Sequence, residues 1–185
     1  MIVEEKQFIL VHVPKTGGMS FCKALKKSGY NVGEYGHHKA SYYNKYPCSF
    51  NRVALTRCPF SRLESAYSYL KNGGMNANDK KDKKFFIDPH KSFRDFVLAG
   101  DFYKQTHFRP LSYWIDTEID YIEKFENYNE SAKKILKLAG ICDIKLQCVN
   151  KTKNKQKQFF DVEMKNVIQE VYAEDFKRFD YNLEG

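Results

Sequence analysis

An α/β fold with a mainly parallel central sheet flanked by helices is predicted by three features of the sequence. Short apolar runs alternate along the chain with stretches of helical periodicity. Two of those runs lead straight into turns that open helices: QFILVHV into PKTGGMS, and NRVALT into RCPFSRLES. No internal repeat and no shift in composition divides the 185 residues, so one domain over 1–185 is expected.

The elements follow in order. Residues 7–13 read as a buried strand. Phe21, Ala24, Leu25 and Ser28 fall at helical spacing, which predicts a helix over 18–28. YNVGEYG allows a short strand, and 51–56 is a second buried strand. SRLESAYSYLK, 61–71, is a helix, with Pro59 as punctuation near its start. NGGMNANDKKDKK, 72–84, reads as a polar loop. Residues 92–100 form a helix with Phe93, Phe96 and Val97 on one face. A strand is expected over 119–127. ESAKKILKLAGI follows as a helix with Ala132, Ile135, Leu136 and Ala139 inward and Gly140 as its stop. Met164, Ile168, Val171, Tyr172, Phe176 and Phe179 make one stripe, which predicts a single helix over 161–180.

Composition narrows the function. Apolar residues reach 42% and aromatics 16%, enough for a real core, and the net charge of +8 favours an anionic ligand. A nucleic-acid partner is disfavoured, because the basic residues are scattered and no DNA- or RNA-binding motif occurs. Five cysteines (22, 48, 58, 142 and 148) form no CxxC pair. The odd count points to reduced thiols rather than a disulfide framework or a structural zinc site. With no leader-like segment and no apolar run long enough for a bilayer, a soluble cytoplasmic protein without a membrane span is expected. The sequence leaves the oligomeric state open.

In an open parallel sheet, ligands collect beyond the carboxyl ends of the strands, which is where both turns lie. In the first, Gly17 and Gly18 let backbone N–H groups approach an anion, and the helix N-terminus adds partial positive charge. Pro14 fixes how the chain enters the turn. Lys15 supplies a full charge, and Thr16 and Ser20 supply hydroxyls. The lysine precedes the glycines, so this is not the phosphate loop of nucleotide triphosphatases, in which Gly-Lys-Ser/Thr closes the motif. A plain strand-to-helix turn with a surface lysine is the competing structural reading. In the second turn Arg57 stands at the strand end and can fork onto a phosphate, with Ser65 eight residues on and Arg62 on a nearby face. Two separated anion sites on one edge suggest a ligand with phosphates at both ends.

Together PKTGGMSF and RCPFSRLESAY resemble the paired signature of sulfotransferases that use 3′-phosphoadenosine 5′-phosphosulfate (PAPS). The closest resemblance is to carbohydrate sulfotransferases of the heparan 2-O and chondroitin or dermatan type and their bacterial relatives. It continues through GHHKAS (36–41), HFRP (107–110), IDYIEKFEN (119–127) and VYAEDFKRFDY (171–181), and so covers nearly the whole chain in order. It implies a P-loop-like three-layer sandwich. It also implies that Pro14–Ser20, including Met19, grips the 5′-phosphosulfate, and that Arg57 and Ser65 grip the 3′-phosphate. Lys151 is implied as a further cofactor contact, and His107 and Arg109 as acceptor-side residues. The chain departs from the family pattern at Met19, where a hydroxyl residue is usual, at Cys58 for Asp or Asn, and at Leu111 for a frequent Gln.

The implied reaction is in-line transfer of a sulfuryl group from PAPS to a hydroxyl of a saccharide or glycolipid, leaving 3′-phosphoadenosine 5′-phosphate (PAP). Lys15 would neutralise charge growing on the leaving phosphate. No metal is called for. The resemblance places a histidine base after Gly36, which selects His37, with His38 as the alternative. A neutral imidazole suits removal of a proton from a sugar hydroxyl near pH 7. His107 stands next in line, and His12, alternating within a buried strand, reads as structural. Two rival readings are a P-loop-type nucleotide kinase or NTPase, and a non-catalytic nucleic-acid-binding module. The first lacks a lysine after the glycines and an evident acidic magnesium ligand. The second rests on charge alone.

Overall fold

The computed structural model describes residues 1–141, 144 and 159–184. The strands are β1 (Ile2–Val3), β2 (Phe8–Val11), β3 (Asn51–Thr56) and β4 (Tyr121–Lys124). The helices are α1 (Gly18–Lys27), α2 (Pro59–Lys71), α3 (Ala77–Asp82), α4 (Phe93–Leu98), α5 (Leu111–Trp114), α6 (Tyr128–Leu138), α7 (Val162–Val171) and α8 (Ala173–Arg178). They are distributed over two compact units, one of residues 1–57 with 113–141 and 144, the other of 58–112 with 159–184. Each unit joins two separated stretches of chain, so no linker marks a boundary in the sequence.

The first unit holds the sheet, in the order β1-β2-β3-β4. β2, β3 and β4 run parallel, with Leu10 opposite Val53 and Leu55 opposite Glu123. Every residue of β2 is buried, as an inner strand of a parallel sheet requires. β1 pairs antiparallel with β2 and was not foreseen. The short strand expected in YNVGEYG is reduced to one bridge, between Gly33 and Ile2. α1 and α6 turn their apolar faces (Phe21, Leu25, Ala132, Ile135 and Leu136) into one core with Phe8, Leu10, Val53 and Leu55.

The second unit is helical, and its core is aromatic: Phe60, Tyr67, Phe93, Phe96, Phe102, Phe108, Tyr172 and Phe176 are all buried. Two expectations are corrected here. The polar loop 72–84 contains α3. Asn76 caps that helix by accepting the Asp79 N–H at 3.0 Å, and the Asp79 carboxylate returns the contact to the Asn76 N–H at 3.3 Å. This reciprocal cap lets a lysine-rich segment stay helical. The single helix over 161–180 is two helices, α7 and α8, divided at Tyr172. There the buried hydroxyl donates to the Phe108 carbonyl at 2.6 Å. Among the described residues no helix is long and apolar enough to cross a membrane.

Candidate active site

The parallel pairing of β2 with β3 brings two predicted turns to one edge of the sheet, because both strands end on that side. Arg57, the residue after β3, reaches the first turn directly: its Nη1 donates to the Lys15 carbonyl at 3.1 Å. The turn is tightly built. Lys15 has φ of 69° and Gly17 φ of 88°, both in the left-handed region. For a lysine that conformation costs on the order of 1 kcal/mol, and the rest of the turn must hold it. A Cβ on Gly17 would lie 2.6 Å from the Tyr128 ring and 2.9 Å from the Phe125 ring. A Cβ on Gly18 would lie 2.1 Å from Cδ2 of His12. Glycine is required at both places by close approach, not only by φ.

α1 starts at Gly18 with no side-chain cap and no acidic residue in its first turn. The Ser20 and Phe21 N–H groups turn back to the Gly17 carbonyl at 3.0 and 3.2 Å, and no acidic residue in the first turn offsets the partial positive charge of the helix start. Thr16 is buried and donates its hydroxyl to the Val13 carbonyl at 2.9 Å, so it secures the loop from within. Ser20 is buried in the first turn of α1. Met19 is met by the Tyr35 hydroxyl. Phe125 and Tyr128, just after β4, complete the cradle. Tyr128 donates to the Gly17 carbonyl at 3.3 Å, and the Arg57 guanidinium lies 4.6 Å from the Phe125 ring centre. Neither aromatic was singled out from the sequence. Their signal was the i, i+3 pair that closes IDYIEKFENY, a segment otherwise read only as a strand.

The histidines separate cleanly. His12 is buried at the end of β2, and its ring centre lies 4.4 Å from that of His37. Burial first, then the neighbouring His37, holds the His12 imidazole well below its ordinary range, so it is neutral at pH 7. His37 is half-buried, with its Nδ1 2.8 Å from the His12 carbonyl. A carbonyl can only accept, so Nδ1 donates this hydrogen bond. The Trp114 ring lies 5.9 Å away on another side. His38 instead stacks on Tyr42, ring centres 4.3 Å apart, and meets the edge of Tyr43.

The remaining predicted residues lie in the second unit or outside the described residues. Ser65 is half-buried on α2. Lys151 falls outside the described residues. Arg62 is not an anion-facing cation: it is 1% exposed, donates to the carbonyls of His107 and Arg109 at 3.4 and 2.8 Å, and pairs with Asp175 at 3.9 Å. Asp175 in turn accepts the N–H groups of Leu111 and Ser112 at 2.6 and 2.8 Å. The HFRPLS segment is thus held through its backbone by buried side chains, while Arg109 stays half-exposed. His107 belongs to a separate network. The Gln105 amide nitrogen donates to Asp82 at 2.7 Å and faces His107 Nδ1 at 3.1 Å, and the amide oxygen accepts the His107 N–H at 2.7 Å. With Nδ1 accepting, the His107 proton sits on Nε2, 3.9 Å from Asp79. A base needs a free lone pair there, and His107 does not offer one. Asp79, Asp82 and His107 are close enough to share an ion. Hydrogen bonds nevertheless account for their placement, including those to Asp79 from the Tyr69 hydroxyl and the Met75 N–H.

The glycine turn, the start of α1 and the arginine at the neighbouring strand end come together at one edge of the sheet. The Sulfotransferase family model matches residues 1–182. The chain belongs to the sulfotransferase family. The match runs through both units, from β1 to beyond α8. No curated protein and no solved structure matches the chain. As a family member it is a transferase of sulfuryl groups, whose acceptor bears a hydroxyl. The mixed α/β fold with its mostly parallel sheet is the architecture expected from the sequence.

Proposed function

We propose that this sulfotransferase takes its sulfuryl group from PAPS and passes it to a hydroxyl of a saccharide or glycolipid. The observation that carries the reading is the convergence of Arg57 and Lys15 on one edge of the sheet beside the glycine cradle. The residues present fit an anion: Lys15 supplies a charge, Gly17 and Gly18 let the turn pack tightly against Tyr128, Phe125 and His12, and the first turn of α1 carries no acidic residue. When bound, PAPS supplies an activated sulfuryl group on a phosphate leaving group.

The chain's own residues divide the work. Pro14–Ser20 hold the 5′ end, and Lys15 offsets charge on the leaving phosphate. Arg57 takes the 3′-phosphate, with Ser65 and Lys151 as further contacts. His37 receives the acceptor proton on Nε2. Its tautomer is set by the His12 carbonyl, which is the order of partners a general base needs. His107 and Arg109 are assigned to the acceptor side. No metal is required for this division of roles. The finer architecture is taken to be the P-loop-like sandwich of the family, built as one domain over 1–185.

Thermal unfolding with added nucleotide tests the donor. PAP at one hundred times its dissociation constant adds about 2.7 kcal/mol of stability, seen as a raised Tm. The Lys15→Ala variant should need more PAP for the same shift. Equal stabilisation by ATP, or no response to PAP, overturns the reading. Transfer from labelled PAPS to a panel of desulfated glycans then identifies the acceptor.

A further inference from the structure

The segment that carries the base has no regular structure of its own between Gly36 and the 3-10 turn over Ala40–Lys45. Its shape is imposed from outside. At one end His37 donates to the His12 carbonyl at 2.8 Å. At the other end a single carboxylate gathers the chain. Asp116 accepts the Ser41 N–H at 2.9 Å on one oxygen and the Ser41 hydroxyl at 2.7 Å on the other, and pairs with Lys39 at 3.5 Å. Lys39 lies over the Tyr113 ring at 4.3 Å. Trp114, two residues before Asp116, places its ring 5.9 Å from His37. One short stretch, 113–116, therefore touches the histidine segment at its base and again at its far end.

We propose that Asp116 is a positioning residue for His37, clamping GHHKAS so that the imidazole stays on the His12 carbonyl with Nε2 unprotonated. The proposal rests on the reading of His37 as the base. Its logic is mechanical. His37 and Ser41 are four residues apart, so releasing Ser41 frees the segment to rotate about Gly36, which has no side chain to resist. Gly36 is already in close quarters: a Cβ there would lie 2.9 Å from His38 Nε2. Loss of the clamp would let the His37 ring leave the carbonyl and populate the other tautomer, in which Nε2 carries the proton and cannot accept one. Partial burial works to raise the Asp116 carboxyl, but the two Ser41 contacts and Lys39 outweigh it and hold the group below its usual range. The clamp is therefore charged at neutral pH.

The test is Asp116→Ala beside Asp116→Asn and Ser41→Ala, in the full chain. Nitrogen-15 spectra of the imidazoles read the tautomer of His37 without any acceptor. Wild type should show Nδ1–H, and Asp116→Ala a mixture of tautomers. Asp116→Asn, which still accepts one N–H, should lie between them. In turnover with PAPS and whichever acceptor is found, kcat should fall about tenfold in Asp116→Ala, since small misplacements of a reacting group cost this much or more. The KM for PAPS and the PAP-induced Tm shift should stay at wild-type values. A merely structural surface contact would move Tm and leave the tautomer alone. An unchanged His37 tautomer in Asp116→Ala overturns the proposal. If the tautomer responds but His37→Ala retains full activity, the clamp is real and the assignment of the base is what fails.

Discussion

The Nδ1 of His37 donates to the backbone carbonyl of His12 across 2.8 Å, and the two rings lie with centres 4.4 Å apart. A strand end thus sets the tautomer of an imidazole carried by a loop 25 residues further on. The same His12 ring closes over Gly18 at the start of α1. The glycine turn and the histidine share one wall, and disturbing His12 disturbs both.

His37→Ala should lower the transfer rate by about 10²–10⁴, the usual range for losing a general base. PAP affinity should stay within about threefold, because the proposed role of the histidine is toward the acceptor and not the cofactor. His38→Ala should keep most of the activity, since its ring is engaged on Tyr42 and Tyr43. Initial rates and calorimetric PAP titrations check both. A dead His38→Ala beside an active His37→Ala would reverse the assignment.

Arg57→Ala should weaken PAP binding by roughly 2–4 kcal/mol, the cost of stripping a charge-assisted contact from a partly buried phosphate. Part of this loss is indirect, because Arg57 also holds the Lys15 carbonyl. Calorimetry with PAP and with its 3′-dephosphorylated analogue separates the two parts. An equal loss for both ligands would mean that Arg57 shapes the turn without reading the 3′-phosphate.

Stability should fall as pH drops below about 6.5, through the neutral burial of His12. Its folded-state value lies well below the ordinary 6.5, so between the two values the unfolded chain binds a proton that the folded protein does not. The sign follows: stability rises with pH in this window, by at most about 1.4 kcal/mol per unit for one group. Urea titrations at pH 7.5, 6.5 and 5.5 measure the slope. His12→Gln should be less stable at pH 7.5 and should show a shallower slope. An undiminished slope in that variant would place the acid sensitivity on another group.

Arg62→Ala should destabilise the protein by about 3–5 kcal/mol, because it leaves Asp175 buried without its cation. The His107 and Arg109 carbonyls lose their donor at the same time. Chemical denaturation measures the loss. A change below about 1 kcal/mol would show that the pair does not hold the 107–112 segment.

The sequence by itself determined the sheet-forming runs, the two turns at strand ends and Lys15 and Arg57 as candidates, while His37 was supplied by the family resemblance. These are local signals: an apolar run, a glycine pair that only close approach explains, and a charged residue at a fixed offset from a strand. The division of 161–180 into two helices was not legible, because both helices use one apolar stripe. The break depends on a hydroxyl-to-carbonyl bond between Tyr172 and Phe108, 64 residues apart. The helix in 72–84 was missed for the opposite reason. Its lysines mask an Asn76–Asp79 cap that outweighs composition. Only the tertiary structure decided that Arg62 is a buried clamp and not an anion ligand, since helix periodicity places a side chain on a face without saying what covers that face. It likewise gave each histidine its partners. The lone pair of an imidazole is fixed by what its other nitrogen touches, and the partners of His37 and His107 are a backbone carbonyl and a glutamine amide brought in by folding. The residue types were readable one at a time, whereas the hydrogen bonds that give each its protonation state belong to the folded chain.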